Sequence, residues 1–169
     1  MASAMDRDQV VALIPRLRRY ARALVADAGA ADDLVQDTLE RALGKFHLWR
    51  PGTDLRAWLF TIMHNVFVNQ IRRRRDSAAF DEEAMALPVR PSHDGALAAR
   101  DLQRALDRLP SEQREVLLLV VLEEMSYQEV ASALGVPIGT VMSRLSRARG
   151  KLRSAMEGAT PSARLQVIK

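Results

Sequence analysis

Residues 126–153 read SYQEVASALGVPIGTVMSRLSRARGKLR, a pattern that predicts two short helices joined by a tight turn. Ser126 can cap the first helix while Glu129, three residues later, reaches back to the main-chain N–H of the cap, which makes a capping box. Gly135 suits the left-handed conformation that ends many helices. Pro137 fits the first turn of the next helix, where its missing N–H costs nothing. The segment therefore has the signature of a helix-turn-helix.

The second of these helices separates apolar from basic residues. Apolar side chains recur at spacings of four and three and predict a buried stripe of Val141, Leu145, Ala148 and Leu152. The other side carries mainly Ser143, Arg144, Arg147 and Lys151. From residue 137 onward there are seven basic residues and one acidic residue, whereas a purely solvated face normally mixes signs. An amphipathic hairpin with a solvated arginine face is the alternative, but the pattern favours a helix that enters the major groove of DNA.

The composition indicates an all-α intracellular protein. Of 169 residues 48% are hydrophobic and only 5% are aromatic, and no stretch alternates as a strand would. There are no cysteines, which excludes disulfides, thiolate zinc sites and cysteine nucleophiles. The longest apolar run, residues 116–122, is far shorter than the roughly 20 residues of a membrane helix. We expect a cytoplasmic protein with no membrane insertion, no cofactor and no bound metal.

The distribution of charge and proline predicts two domains. Residues 76–94, DSAAFDEEAMALPVRPSHD, contain two prolines, five acidic residues and one arginine, and they read as a flexible acidic linker. The flanking parts, 1–75 and 95–169, are more basic, which suits a protein that touches a polyanion at both ends. Helices are predicted over 9–26, with Gly29 marking the end of that helix, and over 30–45, 54–75, 95–109 and 112–124. The fold class is therefore two small helical domains, the second a helix-turn-helix.

The predicted helix over 54–75 carries a second group of candidate residues. Aromatic rings (Trp58, Phe60 and Phe67) and amides (Asn65, Asn69 and Gln70) precede a run of four arginines, Arg72, Arg73, Arg74 and Arg75. Rings stack on unpaired bases, amides read base edges and arginines hold phosphates, so single-stranded nucleic acid fits this group. The alternative is structural: Leu55, Leu59, Ile62 and Val66 form a core stripe that Trp58 or Phe67 could widen, and the arginines could be a solvated helix end.

Four segments together resemble the successive motifs of bacterial RNA polymerase sigma factors. They are DDLVQDTLERAL (32–43), LRAWLFTIMHNVFVNQIRRRR (55–75), LDRLPSEQREVLLL (106–119) and SYQEVASALGVPIGTVMSRLSRARGKL (126–152). They occur in order and with plausible spacing over most of the chain. The resemblance is to the small two-domain extracytoplasmic-function (ECF) group of the sigma-70 family.

The resemblance implies three binding surfaces. One is a surface for core RNA polymerase, whose clamp coiled coil and flap are the expected partners, formed by Asp32, Asp33, Val35, Gln36 and Asp37. The second engages the melted -10 promoter element, with a flipped base captured near Asn65, and comprises Trp58, Asn65, Phe67, Asn69, Arg72, Arg73, Arg74 and Arg75. The third reads the -35 element through Thr140, Met142, Ser143, Arg144, Ser146 and Arg147. Met142 stands where the family often has lysine or arginine, which puts promoter preference in doubt.

Further expectations follow from the same resemblance. The domains would be a region 2-like domain (1–75) and a region 4-like domain (95–169), and the linker acids could mimic nascent RNA in the polymerase channel. The protein would be a monomer when free, would be held by an anti-sigma factor, and would not be an enzyme. His47, His64 and His93 are scattered, and His64 is interpreted as a site neighbour or a partly buried core residue.

Two other functions remain open at the level of sequence. A helix-turn-helix repressor or activator would bind a palindromic duplex without polymerase. A sigma-like decoy would bind an anti-sigma factor and never bind DNA, but the arginines retained at 144, 147 and 149 count against it.

Overall fold

The computed structural model describes residues 4–78 and 97–159, and every regular element in these two ranges is a helix. The seven α-helices are α1 (Ala4–Leu24), α2 (Ala28–Gly44), α3 (Leu55–Ala78), α4 (Leu97–Asp107), α5 (Ser111–Val121), α6 (Tyr127–Leu134) and α7 (Ile138–Ala159). A short 3-10 helix, Phe46–Leu48, follows α2. The prediction of an all-α fold with two helical domains is confirmed.

The first three helices pack around one apolar core. Leu17, Leu34, Leu59 and Met63 come from all three helices and are at most 1% exposed. Asp27 caps α2, because its Oδ2 accepts a hydrogen bond from the N–H of Ala30 at 2.9 Å. This cap starts the helix before Gly29, so the prediction that Gly29 ends the preceding helix was wrong.

Helix α3 begins where the sequence predicts. Asp54 caps it, with Oδ1 accepting a hydrogen bond from the N–H of Ala57 at 3.2 Å. The helix continues to Ala78, so Asp76, the first residue of the predicted acidic linker, is helical. Residues 77 and 78 of that linker are helical as well, so the prediction that the linker begins at residue 76 was wrong. Residues 79–94 lie outside the described residues, and the predicted domain boundaries stay predictions.

The helix-turn-helix has the local geometry that its sequence predicts. The N–H of Glu129 donates to Ser126 Oγ at 3.2 Å, and the N–H of Ser126 donates to Glu129 Oε2 at 2.7 Å, which completes the capping box. Gly135 ends α6 in the left-handed conformation, with φ of 64°. Val141, Leu145 and Ala148 are buried and Leu152 is partly buried, so α7 is held by its predicted stripe.

The two domains also pack against each other, which the sequence did not predict. Helix α1 contacts α4 and α5, and α3 contacts α6. Arg114 of α5 joins the two domains at one point, because its guanidinium donates to the main-chain oxygen of Leu24 at 2.7 Å. The same guanidinium donates to three carbonyls at the end of α4 and in the turn after it, those of Leu106, Asp107 and Leu109.

Two glycine-to-alanine substitutions are expected to change stability in opposite directions. Gly135→Ala should lower the free energy of unfolding by about 1–2 kcal/mol, because a Cβ disfavours the left-handed conformation. Gly150→Ala should raise it by roughly 0.5–1 kcal/mol, since alanine is the better residue inside a helix. An added Cβ meets nothing within 4 Å at either position. Urea unfolding followed by circular dichroism measures both values, and changes of the same sign would contradict the backbone assignment.

Candidate nucleic-acid and protein interfaces

Helix α7 presents a continuous exposed face. Met142 is 51% exposed, Ser143, Ser146 and Arg147 are exposed, and Thr140 is half-buried. They lie here because Val141, Leu145 and Ala148 face the core of the domain. The structure therefore brings the predicted upstream-element residues together on one side of the second helix of the helix-turn-helix.

Arg144 differs from its neighbours on this helix because it has an acidic partner. Its Nη2 lies 3.5 Å from Oε2 of Glu112, and its side chain is only 23% exposed, against 69% for Glu112. A carboxylate at this distance competes with a phosphate or a base for the guanidinium. Sequence reasoning missed Glu112, because the two residues are 32 positions apart and belong to different helices.

The candidate residues for the downstream element on α3 are partly exposed and partly buried. Asn65 and Arg72 to Arg75 are exposed, and Asn69 is half-buried. Phe67 is only 7% exposed and belongs to the apolar core together with Leu59 and Val66. The alternative interpretation, in which Phe67 widens the core stripe, therefore describes this structure, and its ring is not on the exposed face of α3.

Trp58 lies in the cleft between the two domains. Its ring is partly buried and makes an edge-to-face contact with Phe46, with ring centroids 5.9 Å apart. The cleft has a volume of about 330 Å³ and is lined on one side by Thr53, Asp54, Ala57, Trp58 and Thr61, and on the other by Gln128, Glu129, Ser132 and Ala133 of α6. Helix α6 thus lies across the cleft from Trp58, which is one of the residues predicted to contact DNA.

The acidic second turn of α2 is only partly available to a partner. Asp32, Asp33 and Gln36 are exposed, whereas Val35 is 5% exposed and lies in the core. Asp37 is half-buried, and its Oδ2 accepts a hydrogen bond from Gln70 Nε2 of α3 at 3.0 Å. The exposed part of the predicted polymerase surface is therefore a patch of two carboxylates and one amide.

His64 takes part in a contact between the domains. Its Nδ1 lies 2.7 Å from Oε1 of Glu115, which is 3% exposed. Burial raises the pKa of the Glu115 carboxyl, although the hydrogen bond and the charge of His64 oppose this rise. Within residues 4–78 and 97–159, no three His, Asp or Glu side chains form a group that could hold a metal ion.

In the same two ranges, no helix is long and apolar enough to cross a membrane.

Comparison with known proteins identifies the family. The chain is 41% identical over 152 residues to the ECF RNA polymerase sigma factor EcfG of Rhodopseudomonas palustris, a match that covers 89% of this chain and 84% of the relative. The chain belongs to the ECF sigma factors. Family models match this sigma factor in two parts: the sigma2 domain of PhyR at residues 10–64, and sigma-70 region 4 at residues 99–152.

Two solved structures resemble the sigma factor. One is the sigma factor RpoE from Bartonella quintana, in complex with the anti-sigma factor NepR, with a TM-score of 0.80, 35% identity and coverage of 89% of this chain and 96% of that chain. The other is the anti-anti-sigma factor PhyR of the same organism, in complex with NepR, with a TM-score of 0.59, 16% identity and coverage of 88% and 49%. The second likeness concerns the fold alone.

Phe67 and Asn65 are expected to differ sharply in their effect on the stability of the sigma factor. Phe67→Ala should lower the free energy of unfolding by about 3–5 kcal/mol, because it empties a packed core site. Asn65→Ala removes an exposed side chain and should change this value by no more than about 0.5 kcal/mol. Denaturant unfolding of the two variants checks this, and a small effect of Phe67→Ala would place its ring outside the core.

Proposed function

We propose that this sigma factor binds core RNA polymerase, directs it to promoters with two spaced elements, and helps to open the downstream element. The observation that carries the proposal is the exposed face of α7 on a correctly capped helix-turn-helix, in a chain 41% identical to an ECF sigma factor. Phosphodiester bond formation then belongs to the polymerase. Such a protein works in the cytoplasm, where the polymerase and the promoter are.

The polymerase surface is assigned to the exposed residues of the second and third turns of α2. Asp32, Asp33 and Gln36 supply charge and hydrogen-bonding groups for a clamp coiled coil. Asp37 and Val35 act from behind this patch: the first is tied to α3 through Gln70, and the second anchors α2 in the core. Because α2 is held in place from behind, its backbone need not rearrange to present the patch, which favours affinity.

The downstream surface is assigned to α3. Asn65 is exposed on the same helix as the run Arg72 to Arg75, so an amide that can read a base edge and cations that can hold a backbone share one element. Flipping a base out of the stack costs a few kcal/mol, which binding to polymerase and capture of the base must jointly offset. Asn69 and Trp58 flank this surface.

The upstream surface is assigned to α7. Thr140, Met142, Ser143, Ser146 and Arg147 can face the major groove, because the opposite side of the helix is buried. Arg144 can join them once its contact with Glu112 is exchanged for DNA.

An anti-sigma factor is the proposed regulator. The Bartonella sigma factor of the same fold was solved with such a protein bound, and the exposed patches on α2 and α7 are the surfaces that a partner of this kind would mask.

A decoy function has one observation in its favour, since the model that matches residues 10–64 is described as the sigma2 domain of PhyR.

Transcription by purified core polymerase on a promoter library, with and without this protein, distinguishes a sigma factor from a decoy through the 5′ ends of the transcripts. New starts that share two spaced upstream elements support the sigma factor. No new starts, together with binding to an anti-sigma factor, would support the decoy, and binding to a palindrome alone would support a repressor.

Asn65→Ala is expected to impair promoter opening without loss of polymerase binding. Asn65 is exposed and its removal leaves the core intact, so the defect should disappear on a template that is already melted at the downstream element. Permanganate footprinting of the open complex and co-purification with core polymerase measure the two properties. Equal opening by the variant and the wild type on every duplex promoter would exclude a role in capturing a base.

Met142→Arg is expected to strengthen binding to upstream-element duplex and to steepen its dependence on salt. One added phosphate contact should change the slope of log K against log salt by about 0.9. Val11→Arg is the matched control, because Val11 is also apolar and exposed (60%) but lies on α1, in the other domain. Fluorescence anisotropy at several salt concentrations checks this, and equal slopes for the two variants would remove position 142 from the DNA-facing surface.

A further inference from the structure

The exposed face of α7 has small residues along its centre. The buried stripe of Val141, Leu145 and Ala148 fixes the side of the helix that faces the core. At about 3.6 residues per turn, the row directly opposite this stripe consists of small, exposed residues: Gly139, Ser143 and Gly150. Between residues 139 and 150 the centre of the face therefore carries no long side chain, and the backbone of α7 can come close to a partner.

Two further rows of residues border this centre, one on each side, and we call them the first and the second edge. The first edge recurs at intervals of four, three and four residues and consists of Met142, Ser146, Arg149 and Arg153. The second edge has the same intervals and consists of Thr140, Arg144, Arg147 and Lys151. Each edge therefore has long basic side chains toward its C-terminal end.

The N-terminal part of each edge lacks an unpaired cation. On the first edge this place is taken by Met142, an apolar side chain that is 51% exposed. On the second edge Arg144 Nη2 lies 3.5 Å from Glu112 Oε2, and the Arg144 side chain is only 23% exposed. An acid at this distance competes with a phosphate for the guanidinium. The first turns of α7 are therefore poorly equipped to hold a phosphate backbone.

The C-terminal part of both edges has the opposite character. Arg149, Lys151 and Arg153 are exposed, and none of the ion pairs among the described residues includes any of them. Along the helix axis Arg149 follows Met142 by about 10 Å, and Arg153 lies about 6 Å further. The available positive charge of α7 is therefore displaced away from the N-terminus of the helix.

Duplex DNA fits a helix face with a small centre and two basic edges. A helix with its side chains is about 10–12 Å across and the major groove is about 12 Å wide, so a helix that enters the groove fills it. Its centre then faces the bases, and its two edges face the phosphates of opposite strands. Helix α7 has 22 residues and is about 33 Å long, so it can reach from the groove to the phosphates at the rim.

We propose that Arg149, Lys151 and Arg153 straddle the major groove and supply the phosphate contacts that the N-terminal part of α7 lacks. Arg149 and Arg153 hold one strand, and Lys151 holds the other. The inference rests on the proposed function, because it takes the duplex of the upstream element as the partner, and it extends the assigned surface by almost two turns beyond Arg147. Phosphate contacts position a protein on DNA without reading its sequence, so these residues supply affinity and not promoter preference.

The salt dependence of duplex binding tests the three contacts. The probes are a labelled duplex with a mapped upstream element and a mixed-sequence duplex of the same length, and fluorescence anisotropy follows their binding to the full-length protein. Lys151→Ala should reduce the steepness of log K against log salt by about 0.9, the value for one lost phosphate contact. Arg149→Ala with Arg153→Ala should reduce it by about twice as much. Each variant should weaken both duplexes by the same factor, since phosphates carry no sequence information.

Arg108→Ala is the matched control, because Arg108 is an exposed arginine of the same domain that lies directly after α4. It removes the same charge and should leave the salt dependence unchanged. Alanine is the best helix former, so the substitutions on α7 should leave the fold intact, which circular dichroism checks. Loss of affinity for the mapped duplex alone, or an equal change of slope in Arg108→Ala and in the α7 variants, would overturn the proposal.

Uncharged methylphosphonate groups at single positions of the duplex assign each cation to a strand. Neutralising a contacted phosphate should weaken binding of the wild type, but not of a variant that has already lost that contact. Arg149→Ala with Arg153→Ala should become insensitive to neutralisation on one strand, and Lys151→Ala on the other. Insensitivity on the same strand for both variants would contradict the straddling arrangement and overturn the proposal.

Transcription distinguishes failure of this inference from failure of the proposed function. New starts with the wild-type protein, together with salt slopes that the α7 substitutions do not change, would overturn the inference alone. The expected slopes on the mixed-sequence duplex without any new transcript would instead overturn the proposed sigma function. Unchanged slopes together with loss of polymerase binding would overturn the inference by assigning the three cations to an acidic protein surface.

Discussion

The arrangement of the two domains depends on one buried carboxylate. Glu123 follows α5, and Arg16 of α1, 107 positions earlier in the chain, reaches it at 3.0 Å. A buried charge is tolerated only with partners of opposite charge and with hydrogen bonds, so Arg16, Arg19 and Arg56 fix where the second domain can sit. The cleft over Trp58 and the contact of His64 with Glu115 lie in the same interface between the domains.

The exposed surfaces are consequences of what the cores bury. Val141, Leu145 and Ala148 of α7 are buried in the core of the domain. The opposite side of the helix is therefore exposed and mainly polar. Helix α3 is in contact with α1, α2 and α6, so only a limited part of its surface, including Asn65 and the arginine run, remains exposed. One helix can thus be a core element of its domain and a surface for nucleic acid.

The features that were predictable from sequence are those fixed by neighbouring residues. The capping box of Ser126 and Glu129 and the left-handed Gly135 depend on residues within ten positions, and each was predicted and confirmed. The side on which Phe67 lies could not be decided, because a helix surrounded by other helices carries apolar residues on several faces and its periodicity is weak. The partner of Arg144 was also missed, since Glu112 comes to it through the packing of α5 on α7.

The sequence by itself determined the helices, the two-domain division and the family. The spacing of apolar residues, the capping residues and the order of the motifs can all be read from residues that are near one another in the chain. The tertiary structure alone decided which candidates are exposed, with Asn65 outside and Phe67 and Val35 inside. It alone decided that Glu123 meets arginines 107 and 104 positions away. The physical reason is that burial and ion pairing depend on distances in space, which local pattern does not contain.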